Sequence, residues 1–259
     1  MSDMLHPECD ITVLITCYNE APFIVLAIET VLEALRLAEK TYDVIVVNDA
    51  SPDNAAGVIR EYLAANPNPH VRFVDNVHNR GFGGNFLLGA HIGRGEYYRM
   101  CCGDMPDTVE SLSNIFRHAG KADIVIPYEI QREVKGKLPM RKAISALYTW
   151  IVNVLSGNRI RYYNGLPVYR REHVVRFPPV STGFGFQADV LTRVLDEATT
   201  FVQVHNVGTV DRKPRSSAAL NTRNLLSVVH SLLEIAIRRL RRALYGRGKP
   251  RAREILPRG

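Results

Sequence analysis

Ile11-Thr12-Val13-Leu14-Ile15-Thr16-Cys17-Tyr18-Asn19-Glu20 decides the fold: six residues of strand length, apolar or β-branched throughout, break into a polar loop ending on an acid. A strand without polar alternation has both faces covered, the mark of a parallel sheet between helical layers. The pattern returns at Val44-Ile45-Val46-Val47, which breaks at Asn48-Asp49-Ala50-Ser51-Pro52-Asp53, and at Val71-Arg72-Phe73-Val74. Between these runs, Pro22 to Lys40 sets Ile24, Ala27, Ile28, Val31 and Leu35 at helical spacing, with Pro22 suited to a first turn, and Ala55 to Ala65 gives a second helical pattern. Strand-helix-strand-helix-strand predicts an α/β domain with a mostly parallel sheet whose strands aim their carboxyl ends at one edge, where ligands bind.

Met100-Cys101-Cys102-Gly103-Asp104-Met105-Pro106 is a further strand end of this kind. A carboxylate there suits a divalent cation carrying a diphosphate, and it equally suits an ordinary cap for a helix beginning near Val109. Asn48 to Asp53 likewise reads both as a ligand loop and as a turn-forming cluster. Gly81-Phe82-Gly83-Gly84-Asn85-Phe86 lacks the last glycine of G-x-G-x-x-G. Gly183-Phe184-Gly185-Phe186-Gln187-Ala188 fits the looser form but follows Pro178-Pro179 rather than a strand, so neither is a nicotinamide site. The first glycine cluster instead lets backbone approach a ligand, with Arg80 facing phosphates or solvent.

The chain has 259 residues, enough for one large domain or a domain with an appendage, and its 46% hydrophobic content supports a sizeable core. Its four cysteines show no paired metal spacing and its start shows no signal-peptide pattern, so a reduced, cytosolic compartment is expected. No uninterrupted apolar run approaches the ~20 residues that span a bilayer.

Taken in order, Thr12 to Glu20, Val46 to Asp53, Asn79-Arg80-Gly81-Phe82-Gly83-Gly84-Asn85 and Gly93-Arg94-Gly95-Glu96-Tyr97-Tyr98 resemble the successive signatures of family 2 glycosyltransferases with the GT-A fold, in particular the dolichol-phosphate mannosyltransferase or polyprenyl-phosphate branch. The resemblance implies a nucleotide-sugar donor held by Thr16, Tyr18, Glu20, Asp49, Arg80, Cys102 and Gly103. Asp49 would accept from the base, and an acceptor-only carboxylate does not separate uracil from guanine. The family's two-acid metal motif is altered, since Cys102 stands in the first acid's place and Asp104 in the second's, leaving Asp104 to hold Mg²⁺ or Mn²⁺ with diphosphate oxygens and water; Asp107 is near enough in sequence to help or to cap the next helix. The segment from Gly183 to Leu191 resembles the one presenting an acid near the acceptor, making Asp189 the candidate base, although an exposed acid in an early helical turn is also ordinary. Tyr162 to Arg171, with Asn164-Gly165 as a tight turn, and the basic loop Asp211 to Ser217 continue the likeness. Arg212, Lys213, Arg215 and, further upstream, Arg141 are the phosphate ligands it implies, or else part of a solvated basic surface.

Two amphipathic stretches bear on the acceptor. Lys142 to Gly157 sets Ile144, Leu147, Ile151, Val154 and Leu155 on one face beside Tyr148 and Trp150, and Leu225 to Leu244 sets Leu225, Val229, Leu232, Ala236 and Leu240 opposite Glu234, Arg238, Arg241 and Arg242. Such helices lie in a headgroup region or pack on the sheet or a second subunit. The net charge of +7, concentrated in Arg238 to Arg242 and Arg247 to Arg253, favours an anionic membrane surface for the second helix; nucleic acid is not expected, because the basic tail has no interleaved aromatics beyond Tyr245. The expected organisation is a GT-A domain at 8–221, an interfacial helix at 222–246 and a disordered basic tail at 247–259. The expected activity is inverting transfer of a sugar from a GDP- or UDP-linked donor to a polyprenyl phosphate on the cytoplasmic membrane face. Transfer to a glycan hydroxyl, with Asp189 as base, and a non-catalytic nucleotide-sugar-binding adaptor are the alternatives.

Overall fold

The computed structural model describes residues 6–129, 139–179, 183, 185–206, 222–246 and 251–255. The first half alternates as expected: β1 (Cys9–Cys17), α1 (Ile24–Leu37), β2 (Tyr42–Asn48), α2 (Ala55–Ala65), β3 (Val71–Asp75), α3 (Gly81–Ile92), β4 (Gly95–Cys102) and α4 (Val109–Arg117). The second half runs β5 (Ile124–Tyr128), α5 (Pro139–Ser156), β6 (Val168–Arg170), α6 (Arg171–Arg176), α7 (Phe186–Glu197), β7 (Thr200–His205), α8 (Thr222–Tyr245) and β8 (Arg253–Glu254). Among the described residues, eight strands form one sheet in the order β3-β2-β1-β4-β6-β5-β7-β8. Every pairing is parallel except those of β6, which runs antiparallel to both β4 and β5.

The unbroken apolar strands are read on both faces, as their composition requires. Ile11, Val13 and Ile15 of β1 meet Ile24, Ile28 and Leu35 of α1 and Leu112 and Phe116 of α4 in one core layer. Leu14, Ile45 and Ile126 meet Phe86 of α3, Val152 of α5, Val190 and Val194 of α7 and Ile235 of α8 in the other. Each such side chain removed from water stabilises by about 1.5–3 kcal/mol, which overrides weak local preferences.

That override explains α3. Residues 81–92 open on three glycines, which oppose a helix locally, yet the helix packs so closely on the sheet that a Cβ on Gly89 would lie 2.6 Å from the Tyr98 hydroxyl. Asn164-Gly165 is not a two-residue strand turn: residues 163–165 form bends, Leu166 takes the left-handed conformation (φ 49°), and Gly165 is needed because its backbone presses on the Pro127 carbonyl. Asp107 does not cap α4. Thr108 does, its hydroxyl accepting from Ser111 N at 3.2 Å.

The helix expected at 222–246 also packs on the domain. α8 is no appendage, since Ile235 is buried in the second core layer and Arg238 and Arg242 pair with Asp189 and Asp196 of α7. Within 251–255, the described residues of the expected tail, β8 pairs with the edge of β7, and Glu254 accepts from Gln203 Nε2 at 2.9 Å. An edge strand with unpaired backbone groups is a template for such an addition.

Candidate functional site

The carboxyl ends of the first strands are stitched together by main-chain bonds. Asp49 N donates to Cys17 O at 2.9 Å, Gly103 N to Thr16 O at 2.8 Å, and Asn76 N to Asn48 O at 2.9 Å. Just beyond the ends of β1, β2 and β4, a non-glycine residue takes the left-handed conformation: Asn19 (φ 55°), Ala50 (φ 52°) and Met105 (φ 39°). Each costs of order 1–3 kcal/mol and persists only where its surroundings hold it. The loop after β2 supplies part of that hold, with Asn19 N donating to Ser51 Oγ (2.8 Å) and Ala21 N to Asp53 Oδ2 (2.9 Å). Met105 is held by its side chain, which is buried in the core.

These loops enclose a cleft of about 450 Å³ lined by residues 16–20, Asp49, Asn79, Gly81, Phe82, Asn85 and Cys102. Pockets for small ligands and cofactors run from roughly 300 to 1,000 Å³. Of the residues singled out in the sequence, Thr16, Tyr18, Glu20, Asp49 and Cys102 line it together. Tyr18 presents an exposed ring, whereas Glu20 is buried so tightly against the next turn that a Cβ on Gly103 would lie 2.6 Å from its Oε2. Gly103 is therefore fixed by close approach, at the end of β4.

Asp49 is buried, and its carboxylate is largely taken up by the protein. Oδ1 accepts from Asn76 Nδ2 (2.9 Å) and Arg80 N (2.8 Å), and Oδ2 accepts from Gly81 N (3.0 Å). It thus sits on the amino end of α3, where a negative charge is favoured by the helix dipole. Arg80 contributes its backbone to this cap while its side chain is exposed outside the lining. Asn79, Phe82 and Asn85 belong to a segment quoted in the sequence but were given no role of their own there. Asn85 is nevertheless buried, accepting from Asn76 at 2.8 Å, and Asn79 Nδ2 donates to Asp49 O at 3.1 Å.

Cys102 and Asp104 occupy a tight turn closed by Met105 N donating to Cys102 O at 3.1 Å. Burial pushes the Cys102 thiol well above its ordinary value, and the carboxylates of Asp104 and Glu20 push it further. The group in the first acid's place is accordingly a neutral thiol facing two acids. Asp107 is turned elsewhere, accepting from the buried Arg99 (2.9 Å) and from Asn206 (2.8 Å). Among the described residues no group of three or more His, Cys, Asp or Glu side chains is placed to hold a metal by itself.

Asp189 is buried in the first turn of α7, and its Oδ1 accepts from Arg193 Nε and Arg238 Nη1, both at 3.1 Å. It does not line the cleft, but its helix packs against a lining residue: Phe186 meets Phe82 edge-on at 5.7 Å. Arg212, Lys213 and Arg215 lie outside the described residues, as does the side chain of Arg141.

Residues 12–182 match the family described as Glycosyl transferase family 2. The chain belongs to that family. It is 32% identical over 103 residues to the dolichyl-phosphate beta-glucosyltransferase of Mus musculus, a match covering 38% of this chain and 32% of that protein. It is 24% identical over 173 residues to the undecaprenyl-phosphate 4-deoxy-4-formamido-L-arabinose transferase of Pectobacterium carotovorum, covering 66% of this chain and 52% of that one. The chain thus spans between a third and a half of these relatives' length. Glucosyl-3-phosphoglycerate synthase from Mycobacterium tuberculosis, solved with Mn²⁺, UDP and glucosyl-3-phosphoglycerate, superposes with a TM-score of 0.66 at 16% identity over 88% of this chain and 80% of that chain. The fold is GT-A, an α/β architecture with a mostly parallel central sheet flanked by helices.

Proposed function

We propose that this family 2 chain moves a hexose from a GDP- or UDP-linked donor to a polyprenyl phosphate, inverting the anomeric carbon in one step at the cytoplasmic membrane surface. The observation carrying the lipid acceptor is an exposed apolar ridge on the two helices beside the site. α5 exposes Met140, Ile144, Leu147, Trp150 and Val154, while α8 exposes Leu226, Val229, Leu233, Ile237, Leu240 and Leu244. The two helices pack on each other, and a Cβ on Gly185, next to the Phe186 that packs on Phe82 of the cleft, would lie 2.5 Å from Ser231 Oγ of α8. Exposed apolar side chains of this kind on a charged helix pair suit burial at the headgroup boundary. No helix among the described residues is long and apolar enough to cross a membrane.

The cleft of residues 16–20, Asp49 and Cys102 takes the nucleotide, with Tyr18 offering its ring face to the base. The oxygen donors near the Cys102–Met105 turn suit a hard divalent cation better than the protonated thiol does, so Asp104, with Glu20 close by, would hold Mg²⁺ or Mn²⁺ together with diphosphate oxygens and water. When bound, the cation would neutralise charge on the departing diphosphate. Arg141, Arg212, Lys213 and Arg215 are assigned to the diphosphate and the acceptor phosphate.

A phosphate monoester, with a second pKa near 6, is already mostly dianionic at neutral pH and needs no base. Asp189, held by two guanidinium groups, suits that acceptor: it fixes the wall of the site rather than removing a proton. The deciding experiment incubates the chain with labelled GDP-mannose, UDP-glucose or UDP-GlcNAc, a divalent cation and undecaprenyl or dolichyl phosphate. Label in the organic phase is expected. Water-soluble glycan product, or donor binding without turnover, would reject the proposal.

A further inference from the structure

A second cavity, of about 280 Å³, lies between α5, α7 and α8, away from the donor cleft; its walls include Ser156, Thr192, Arg238, Arg239, Arg242 and Arg251. Four arginines thus line one space whose only lining carboxylate among the described residues is Asp196. Arg242 pairs with Asp196, and Arg238 turns to Asp189 and to Thr192 Oγ1 (2.7 Å). Arg239 and Arg251 have no acidic partner among the described residues. They donate to the main-chain carbonyls of Val154, Leu155 and Gly157 at the end of α5. A Cβ on Gly157 would lie 2.7 Å from Arg251 Nη2 and 3.2 Å from Arg239 Cζ, so these two cations converge on the same point.

Like charges brought together call for a compensating anion, and the partial negative charge of a helix end supplies only about half a unit. Planar forks with several N–H groups match phosphate oxygens. Position identifies the source: Val154, whose carbonyl binds Arg239, is also an exposed member of the apolar ridge, and Leu240 and Leu244 continue that ridge on the helix bearing the arginines. A group bound there would sit at the depth of a lipid headgroup.

We propose that this arginine-lined cavity is a phosphate-binding site, separate from the donor cleft, that takes the headgroup phosphate of a membrane lipid. The proposal rests on the membrane placement of α5 and α8. The test compares the whole chain with the Arg239→Gln/Arg251→Gln pair and with Arg36→Gln/Arg117→Gln, which removes the same charge from helices on the opposite layer. Binding to phosphatidylcholine vesicles with and without phosphatidic acid is read by flotation, and binding of inorganic phosphate by the shift in melting temperature.

At roughly a factor of five per arginine, the first pair loses about 25-fold in affinity for phosphatidic-acid vesicles while the control pair loses less than about twofold. Equal losses in both pairs would overturn the proposal, as would retained vesicle and phosphate binding in the first pair. Stabilisation of the unsubstituted chain by inorganic phosphate, lost in the first pair while vesicle binding is unchanged, overturns the lipid source and leaves a free-phosphate site. Failure of the unsubstituted chain to bind any vesicle sinks the membrane reading of α5 and α8, and the phosphate arm then decides the cavity by itself. If the first pair also loses donor binding its fold has been damaged, and Arg239→Lys/Arg251→Lys carries the test: this pair keeps charge at the site and retains vesicle binding within about threefold if the proposal holds.

Discussion

Replacing Asp49 by Asn separates what this residue does for the fold from what it does for a ligand. In the structure Oδ1 serves Asn76 and Arg80 N, and Oδ2 serves Gly81 N at 3.0 Å. An asparagine that keeps its oxygen in the first position must aim an amide donor at the Gly81 N–H. One hydrogen bond to a charged acceptor disappears, worth about 1.5–3 kcal/mol. The negative charge at the start of α3 disappears as well, worth about 0.3–1 kcal/mol. We therefore expect a loss of about 2–4 kcal/mol without any ligand, a fall of roughly 4–16 °C in melting temperature for a chain of this size. Urea denaturation with and without GDP or UDP gives the two terms independently, and an Asp49→Asn/Asn76→Ala cycle shows whether the amide and the carboxylate act as one unit. A ligand-free variant as stable as the parent would refute the capping role, and a weakened nucleotide affinity alone would return Asp49 to the base.

The other expectations concern charge. Arg99→Leu strands the Asp107 carboxylate in the interior and should cost about 3–5 kcal/mol, much of it recovered in Arg99→Leu/Asp107→Leu; a single variant with unchanged stability would show that the pair is not buried as described. Burial alone would raise the Asp123 carboxyl, but it is outweighed by hydrogen bonds from Thr199 and Thr200 and by Arg170, which hold it down at about 2. Its stabilising contribution is thus present above its ordinary value near 3.8 and is lost as pH falls through about 2. Denaturation between pH 5 and 2 should show a shallower acid slope in Asp123→Asn, and identical slopes would rule this out. Cys102→Asp restores an oxygen ligand opposite Asp104 and should tighten Mn²⁺ binding in the presence of nucleoside diphosphate by about tenfold, measured by calorimetry. No gain would mean that the turn cannot aim both carboxylates at one ion.

What could be read from the sequence was whatever depends on neighbours along the chain. β1, β2 and α2 follow from unbroken apolar runs and helical spacing, and Thr16, Tyr18, Glu20, Asp49 and Cys102 fall together because they lie where strands end. What could not be read depends on distant partners. The glycines of α3 oppose a helix locally and are explained only by Tyr98 and Leu14 beneath Gly89. Asp107 looked available for a cap or a cation until Arg99 and Asn206 were found on it, the latter 99 residues away. Asp189 reads as an exposed helical acid because Arg238, which clamps it, comes 49 residues later. β6 and β8, at three and two residues, are too short to carry a period.

The reversal at β6 gives the molecule a seam. β3, β2, β1 and β4 are complete by residue 102, and β4 meets the next strand through only two residue pairs, Tyr97 with Arg170 and Tyr98 with Tyr169. The first block emerges from the ribosome as a contiguous unit before any of the wall formed by α5, α7 and α8 has been made. On the function proposed above, recombination between relatives at this point of the sheet would exchange the acceptor wall while keeping the nucleotide cleft of the first block.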